Sequence, residues 1–216
     1  ILDCLLYRNA AYCKPMSLLT NFPHVRRRPP PRDAREQALT PGPAQGRPLR
    51  ARDGTSLLLR PIHRSDVAAL QRGFRGLSPD EVRMRFLHPL TELATPLAER
   101  LCDLDPATGV AFVLIDPPPA TAPEIHAVAR AYIDPITLAA EFAVVVQHRY
   151  AGQGFGRLLL QNVIDACRER GATELWGDVF LDNGAMLALC ERLGFTRRSL
   201  EHEPGVMRVT LDLTSN

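Results

Sequence analysis

Lysine is almost absent from this chain: Lys14 is the only lysine among 26 basic residues, and all the others are arginines. A phosphate-binding P-loop needs Gly-Lys-Ser/Thr directly before a helix, so that class of nucleotide site is excluded. The 24 acidic residues leave a formal net charge of only +2, with both signs mixed along the chain after residue 50. That balance predicts no nucleic-acid partner for the folded part. We attach no function to the preference for arginine.

Long apolar runs are missing as well. No stretch approaches the roughly 18 continuous apolar residues that a membrane-spanning helix needs. The apolar run within residues 1–22 is interrupted by Arg8, Asn9 and Lys14. No small-residue cleavage site follows it cleanly, so we do not interpret it as a signal peptide. The sequence therefore predicts a protein that has no membrane partner.

The cysteine and histidine patterns argue against a metal site. The five cysteines are odd in number and have no C-x-x-C spacing, which favours a reduced, cytoplasmic protein without a thiolate metal site. Five of the six histidines match no metal-ligand spacing, and each is interpreted as an ordinary surface or loop residue. They are His63, His88, His126, His148 and His202.

The first 48 residues differ in composition from the rest. Proline and arginine dominate there, as in RRRPPPRDAR, and few apolar residues remain to form a core, so residues 1–48 are predicted to be disordered. Their arginines are interpreted as a solvated tail, because no aromatic residues stand between them. Residues 49–216 have the length of one domain. The first residue is Ile1, so a fragment, a processed form and a later start at Met16 all stay open.

The stretch Ala139–Arg157 carries the main chemical signal. An apolar strand is followed by a polar turn, by glycines at every second position (Gly152, Gly154 and Gly156) and by a helical pattern. Alternate residues without Cβ let the backbone approach a ligand closely. The unpaired N–H groups of the following helix form an anion site, for which a phosphate is the expected ligand. The dinucleotide fingerprint does not fit, because Arg157 stands at its third glycine position.

The remaining pattern predicts a mixed α/β domain. Helices are expected from Val67, after Ser78, after the glycines and after Asn183, where the side chain of Asn183 caps the helix. Strands are expected at Ser56–Arg60, Val110–Ile115, Ile125–Ile133, Phe142–Val146, Glu174–Phe180 and Met207–Leu213. Three strands in close succession favour an antiparallel meander. A helix joins the fourth and fifth strands, which should therefore be parallel and connected by a right-handed crossover.

The segment GQGFGRLLL after a strand resembles the acetyl-CoA pyrophosphate loop of the GNAT N-acetyltransferase superfamily. Gly154 and Gly156 fill the two small positions of that pattern, whereas Ala151 stands where the family usually has Gln or Arg. The resemblance runs from about Leu49 to Leu213. The phrases DGT, LSPDEVRMRF and AEFAVVV resemble a branch that contains bacterial protein-lysine acetyltransferases and synthetase-fused acetyltransferase domains. It implies the GNAT fold: a mostly antiparallel sheet flanked by helices, with a parallel pair that splays at the acetyl-CoA cleft.

The resemblance also implies a set of binding residues. The strand residues would contact pantetheine and the thioester carbonyl through their backbone, and an N–H near Val146 would serve as oxyanion donor. The loop residues would bind the pyrophosphate, and Asn183 could touch the coenzyme in addition to capping its helix. The complete predicted coenzyme site is Val144, Val145, Val146, Gly152, Gln153, Gly154, Phe155, Gly156, Arg157 and Asn183. No metal is expected.

Glu141 is the predicted general base, because the branch carries a glutamate at the start of this strand that is proposed to deprotonate the amine. Its apolar neighbours Phe142 and Ala143 should raise its pKa. The alternative is a strand-end carboxylate that pairs with Arg130 or another arginine. Cys190 stands where many members have a tyrosine as proton donor. We interpret it as a core residue, which leaves water or the ammonium product to protonate the thiolate.

These observations predict an N-acetyltransferase that transfers the acetyl group of acetyl-CoA directly to a primary amine. A protein lysine is the first expectation for the acceptor, and a small amine or amino acid is the second. Acceptor specificity is expected in the early helices and in the loops around Leu87–Leu97 and Pro117–Pro123. Two other readings stay open, an acyl-CoA sensor without turnover and the catalytic part of a larger regulated protein. The sequence does not indicate an oligomeric state.

Overall fold

A twisted sheet of eight strands organises the part of the chain that the computed structural model describes, residues 46–87 and 90–215. The strands are β1 (Arg47–Arg50), β2 (Ser56–Pro61), β3 (Gly109–Ile115), β4 (Ile125–Ile133), β5 (Ala139–Val146), β6 (Glu174–Phe180), β7 (Thr196–Ser199) and β8 (Val206–Asp212). Their order across the sheet is β1-β2-β3-β4-β5-β6-β8-β7. Every neighbouring pair is antiparallel except β5 and β6.

Five helices connect the strands within the described ranges. They are α1 (Val67–Arg75), α2 (Pro79–Phe86), α3 (Thr95–Cys102), α4 (Phe155–Glu169) and α5 (Gly184–Arg192). The start of α2 shows how local sequence fixes these bounds. The Ser78 hydroxyl accepts from the Glu81 N–H at 3.2 Å, and the Glu81 carboxylate accepts from the Ser78 N–H at 2.7 Å. This reciprocal capping box satisfies two N–H groups that the helix cannot pair internally.

The expected mixed sheet is confirmed, including the antiparallel meander β3–β4–β5 and the parallel pair β5–β6. Three elements were not expected: β1, α3 and β7. The two strands lie at the edges of the sheet, and all four residues of β7 are exposed. An edge strand that is exposed on both faces has no alternation of apolar and polar residues, which is the signal that sequence analysis uses.

The layers on the two faces of the sheet enclose separate apolar clusters. Helices α4 and α5 cover one face, where Leu159, Leu160, Val163 and Leu175 are 1% exposed or less. Helices α1, α2 and α3 cover the other face, together with apolar side chains of β2, β3 and β4. Alternate residues of a strand point to opposite faces, so each central strand contributes to both clusters.

The parallel strands separate after a short contact. Ala139, Ala140 and Glu141 pair with Glu174, Leu175 and Trp176, and no later residue of β5 pairs with β6. Beyond that point β5 continues to Val146 beside β4, whereas β6 continues beside β8. The two strands therefore part directly after Glu141, as the family resemblance implied.

The N-terminal prediction concerns a different part of the chain. Apart from its last three residues, the segment 1–48 that we expect to be disordered lies outside the described residues. Strand β1 begins at Arg47, two residues before the predicted domain boundary.

Among the residues that the structure describes, none of the helices combines the length and the apolar character that crossing a membrane requires.

Candidate active site

The glycine loop has the backbone geometry that its sequence requires. Gly152 and Gly154 have φ angles of +67° and +87°, in the left-handed region where a side chain would be strained. Gly154 is the N-cap of α4, and the first helical hydrogen bond runs from the Leu158 N–H to the Gly154 carbonyl at 3.0 Å. The N–H groups of Phe155, Gly156 and Arg157 precede that bond. They are therefore available to an anion at the positive end of the helix dipole.

Gly156 has an ordinary φ, so backbone conformation does not explain it. A Cβ built at Gly156 would lie 3.5 Å from Leu189 Cδ2 and 3.7 Å from Val146 Cγ2, which are normal packing distances. The folded protein would accept alanine at this position. Neither packing nor backbone conformation therefore requires glycine here, which leaves close approach of a ligand to the nearby N–H groups as the expected reason for it.

A residue from the other end of the domain holds the loop in place. The Arg52 guanidinium donates to the Gly152 carbonyl at 2.9 Å, and the Arg52 backbone N–H donates to Gln153 Oε1 at 2.8 Å. The Gln153 amide nitrogen in turn donates to the Arg149 carbonyl at 3.2 Å. The Gln153 side chain therefore braces the loop. Sequence analysis missed Arg52, because nothing in the sequence links two residues a hundred positions apart.

The strand before the loop offers its backbone to the gap between β5 and β6. Val144 and Val146 pack toward α4, and Val145 packs toward the opposite face. Phe142 fills the start of the gap, where a Cβ at Gly177 would lie only 2.8 Å from its ring. Beyond Phe142 the edge of β5 that faces β6 has no strand partner among the described residues. An extended ligand arm can hydrogen-bond to such an edge as an added strand would.

Glu141 lies at the point where β5 and β6 separate. Burial, and after it the nearby negative charge of Asp178, raise the pKa of Glu141 to about 7. The positive charges of Arg208 and Arg85 act in the opposite direction but do not cancel these effects. Within the described ranges Glu141 takes part in no ion pair, so the alternative of a carboxylate that is neutralised by Arg130 or another arginine finds no support. Its pKa suits a base that works near neutral pH.

The charge of Arg208 is largely committed to Asp178. The Arg208 Nε and Nη2 atoms donate to the two carboxylate oxygens of Asp178, both at 2.8 Å. The same guanidinium lies 4.0 Å from the centre of the Trp176 ring. Because Trp176 pairs with Glu141 across the parallel strands, this group borders the Glu141 side of the cleft. A bidentate pair of this kind fixes Arg208 and leaves Glu141 able to take up and release a proton.

Two residues near the cleft agree with their expected structural roles. Asn183 Oδ1 accepts from the Met186 N–H at 3.1 Å and so caps α5, while its contact with the coenzyme stays a prediction. Cys190 is 1% exposed within the core, and burial raises its pKa to about 12. A thiol of that pKa is a poor acid at neutral pH. Arg157 is exposed on the first turn of α4, where its side chain could add positive charge.

The interpretation of His126 as a surface or loop histidine is wrong. His126 lies in the central strand β4 and is 4% exposed. Its Nε2 atom lies 2.7 Å from Asp116 Oδ1, and its Nδ1 atom lies 3.1 Å from Gln147 Oε1. Apolar and polar residues did alternate around His126 in the sequence, but alternation alone does not show that a polar side chain finds partners in the core.

Among the residues that the structure describes, no cluster of His, Cys, Asp and Glu could hold a metal ion.

Known proteins share this arrangement of strands and loop. The model of the Acetyltransferase (GNAT) family matches residues 83–195, just over half of the chain. An acetyltransferase of Pseudomonas aeruginosa is 29% identical over 143 residues, which are 66% of this chain and 76% of that protein. The [ribosomal protein bS18]-alanine N-acetyltransferase of Escherichia coli K12 is 38% identical over 74 residues. That match covers 34% of this chain and 48% of the relative, so it spans about half of the relative's length.

Solved structures show the same fold. The GNAT domain of S. lividans PAT has a TM-score of 0.66 at 24% identity, with 77% of this chain and 96% of that chain covered. The Salmonella typhimurium acetyltransferase yncA, which holds acetyl-CoA as its cofactor, has a TM-score of 0.53 at 19% identity. That match covers 73% of this chain and 94% of yncA. Together with the glycine loop and the splayed strands, the family match shows that this chain belongs to the GNAT family of acetyltransferases, which use acetyl-CoA.

Proposed function

We propose that the chain transfers the acetyl group of acetyl-CoA directly to a primary amine, with Glu141 as the general base. The observation that carries this proposal is the position of Glu141, which has a pKa of about 7 and lies where β5 leaves β6. An amine reacts only after it loses the proton of its ammonium form. A carboxylate of that pKa is about half ionised at neutral pH and can accept this proton directly or through one water.

The residues of β5 and the glycine loop would share the remaining work. The N–H groups of Phe155, Gly156 and Arg157, with the backbone of Gln153 and Gly154, would bind the pyrophosphate at the start of α4. The free edge of β5 from Val144 to Val146 would align the pantetheine arm. One N–H near Val146 would stabilise the oxyanion, an effect worth about 3 kcal/mol when such a donor is removed from other enzymes. Cys190 would stay a core residue, so the leaving thiolate would take its proton from water or from the ammonium product.

Two classes of amine are candidates for the acceptor. A protein amine, first of all a lysine side chain, rests on the branch resemblance and on the relative from Escherichia coli, whose name gives a ribosomal protein alanine as its acceptor. A small amino acid is favoured by a specific observation within the domain, namely two half-buried arginines that line a cavity on the Glu141 face of the sheet.

Calorimetric titration of the full chain with acetyl-CoA, CoA and NADH tests the coenzyme assignment. We expect tight binding of acetyl-CoA and CoA and no binding of NADH. Detection of free thiol with a panel of lysine peptides, small amines and amino acids then tests for transfer. Binding of acetyl-CoA without thiol release across the whole panel would contradict catalysis and indicate a sensor. Failure to bind CoA would overturn the proposed function as a whole.

A further inference from the structure

A cavity of about 40 Å³ lies between β4–β5 and the helices α1–α3. Its walls are largely apolar and include Leu70, Phe74, Phe86 and Val145. A water-sized site needs roughly 10–15 Å³ by this measure, so the cavity accommodates about three heavy atoms. That is the size of a carboxylate group. Two charged side chains interrupt the apolar lining, Arg85 from α2 and Arg130 from β4.

The two guanidinium groups have few partners in the folded chain. Arg130 Nη1 donates to the Leu101 carbonyl at 3.2 Å, but Arg130 Nε is buried and has no hydrogen-bond partner in the described ranges. Arg85 lies over the Phe86 ring at 4.8 Å, and no described residue accepts a hydrogen bond from its guanidinium. An arginine has five N–H donors, so most of the donors on this pair have no acceptor among residues 46–87 and 90–215.

The pair is also electrostatically unfavourable without an anion. Burial, and after it the neighbouring positive charge of Arg85, lower the pKa of Arg130 to about 9. Burial likewise lowers the pKa of Arg85 to about 10. Both groups still carry their charge at neutral pH, so the fold holds two adjacent cations in an apolar wall. No carboxylate among residues 46–87 and 90–215 forms an ion pair with either one. A buried charge is normally paired, because removing it from water is costly.

The cavity is close to the proposed base. Arg130 of β4 pairs with Ala143 of β5. Two residues further along β4, Tyr132 pairs with Glu141. Two residues of a strand span about 7 Å, so Arg130 and Glu141 occupy adjacent positions on one face of the sheet. Arg85 interacts electrostatically with both of them. A molecule anchored by the arginines would therefore extend toward Glu141.

We propose that Arg85 and Arg130 bind the carboxylate of a small amino-acid acceptor and so present its α-amine to Glu141. Two guanidinium groups bind a carboxylate through charge-assisted hydrogen bonds, and both of these side chains are already half-buried. The cavity accommodates only the carboxylate, so the rest of the amino acid would lie outside it. A lysine side chain of a protein brings no carboxylate beside its amine, so it would leave the arginines unpaired. This inference rests on the proposed acetyl transfer and specifies its acceptor.

Matched acceptors test the inference on the full chain. Leucine, methionine and phenylalanine are compared with their carboxamides, which keep the amine and side chain but lack the negative charge. We expect kcat/KM to be at least about tenfold higher for the amino acids, since a site built for a charged group discriminates strongly against analogues that lack it. The amine of each carboxamide is the less basic and so the more readily deprotonated. A preference for the carboxylates would therefore oppose intrinsic reactivity.

Variants assign the preference to the cavity. In Arg85→Gln, kcat/KM for leucine should fall at least about tenfold and approach the value for leucinamide, whereas Arg85→Lys should restore part of the preference. Arg168→Gln removes the same charge from the exposed surface of α4 and should change neither acceptor. Arg130→Gln also loses its bond to the Leu101 carbonyl, so its unfolding temperature has to be measured in parallel. The Arg85 variants carry the conclusion if Arg130→Gln is unstable.

Each outcome bears on a separate claim. Equal or faster acetylation of the carboxamides or of a lysine peptide would overturn the amino-acid site and leave acetyl transfer intact. Titration of the CoA-bound chain with leucine gives a second readout that does not depend on turnover, and Arg85→Gln should weaken this binding. If leucine neither binds nor reacts while acetyl-CoA binds, the subsite is wrong. If acetyl-CoA itself does not bind, the proposed function fails.

Discussion

The two sides of the cleft at β5 are built from different parts of the polypeptide. On the coenzyme side, the glycine loop, the first turn of α4 and the free edge of β5 present backbone N–H and carbonyl groups. On the acceptor side, Glu141, Asp178, Arg208 and the arginine pair present side chains from α2, β4, β5, β6 and β8. A backbone site tolerates many sequences provided that certain side chains are missing. A side-chain site changes whenever one residue changes, so specificity should be encoded on the acceptor side.

Removing the proposed base, Glu141, should have the largest effect on the rate of acetyl transfer. Glu141→Gln keeps the shape of the side chain but cannot accept a proton. We expect kcat/KM to fall by about 10²–10⁴, the usual contribution of general acid–base catalysis, while the affinity for acetyl-CoA stays unchanged. Steady-state kinetics and calorimetry measure the two quantities separately.

Glu174→Gln is a matched control, because Glu174 is an exposed residue of β6. It should behave like the unaltered chain in both measurements. Full turnover by Glu141→Gln across the pH range would remove Glu141 from the mechanism and leave only the coenzyme side with a chemical role.

The dependence of rate on pH tests the acceptor side, because the proposed base Glu141 has a pKa of about 7. The base must be deprotonated, so kcat/KM should rise with pH and level off above about 7, the pKa of Glu141. Asp178→Asn removes a negative charge that raises this pKa and frees Arg208, whose positive charge lowers it. Both changes act in the same direction. The acidic limb of the profile should therefore move to lower pH.

An acidic limb that stays in place in Asp178→Asn would show that another group controls the profile. The same variant should bind acetyl-CoA as the unaltered chain does, because Asp178 lies on the acceptor side. A loss of coenzyme binding would contradict the division of the cleft into two chemically distinct sides.

Two glycines on the coenzyme side should separate binding from stability. Gly156→Ala meets only normal packing distances and improves helix propensity by up to about 1 kcal/mol. Its free energy of unfolding should hold or rise, while its affinity for acetyl-CoA should fall at least about tenfold. Gly154→Ala forces alanine to φ +87°, so it should lower the free energy of unfolding by about 1–2 kcal/mol.

Denaturant unfolding and calorimetry on the two variants measure both quantities. Gly171→Ala supplies a control outside the site, because Gly171 has a φ of +76° at the far end of α4. It should lose stability as Gly154→Ala does and keep its affinity for acetyl-CoA. Unchanged acetyl-CoA binding by Gly156→Ala would mean that no ligand uses the space beside this glycine.

Sequence and structure agree best where the determinant is local. The capping of α5 by Asn183 and the start of α4 after Gly154 each depend on a few consecutive residues, and both were predicted. The parallel pair β5–β6 followed from the length of the helix between the strands. Glu141 was predicted as the base because the resembling branch carries a glutamate at the start of this strand, just before the residues expected to contact the thioester.

Most side-chain contacts of the acceptor side could not be predicted from the sequence, because they join residues that are far apart in the chain. Arg85 and Arg130 lie on different elements, and each looks like an ordinary arginine in its own segment. The bond between Arg208 and Asp178 joins β6 to β8 across 30 residues. No spacing rule covers these contacts. His126 shows the same limit, since its partners Asp116 and Gln147 come from outside its own strand.

Arg52 gives the smallest expected effect and tests whether a side chain supports the backbone site. In Arg52→Ala, the contact to the Gly152 carbonyl is lost while the backbone bond to Gln153 remains. A hydrogen bond of this kind contributes about 0.5–1.5 kcal/mol, so the affinity for acetyl-CoA should fall about two- to tenfold. Arg50→Ala removes a neighbouring exposed arginine whose one hydrogen bond within the described ranges goes to the Gly54 carbonyl, and it should have no effect. Equal losses in both variants would show that general positive charge, rather than bracing of the loop, attracts the coenzyme.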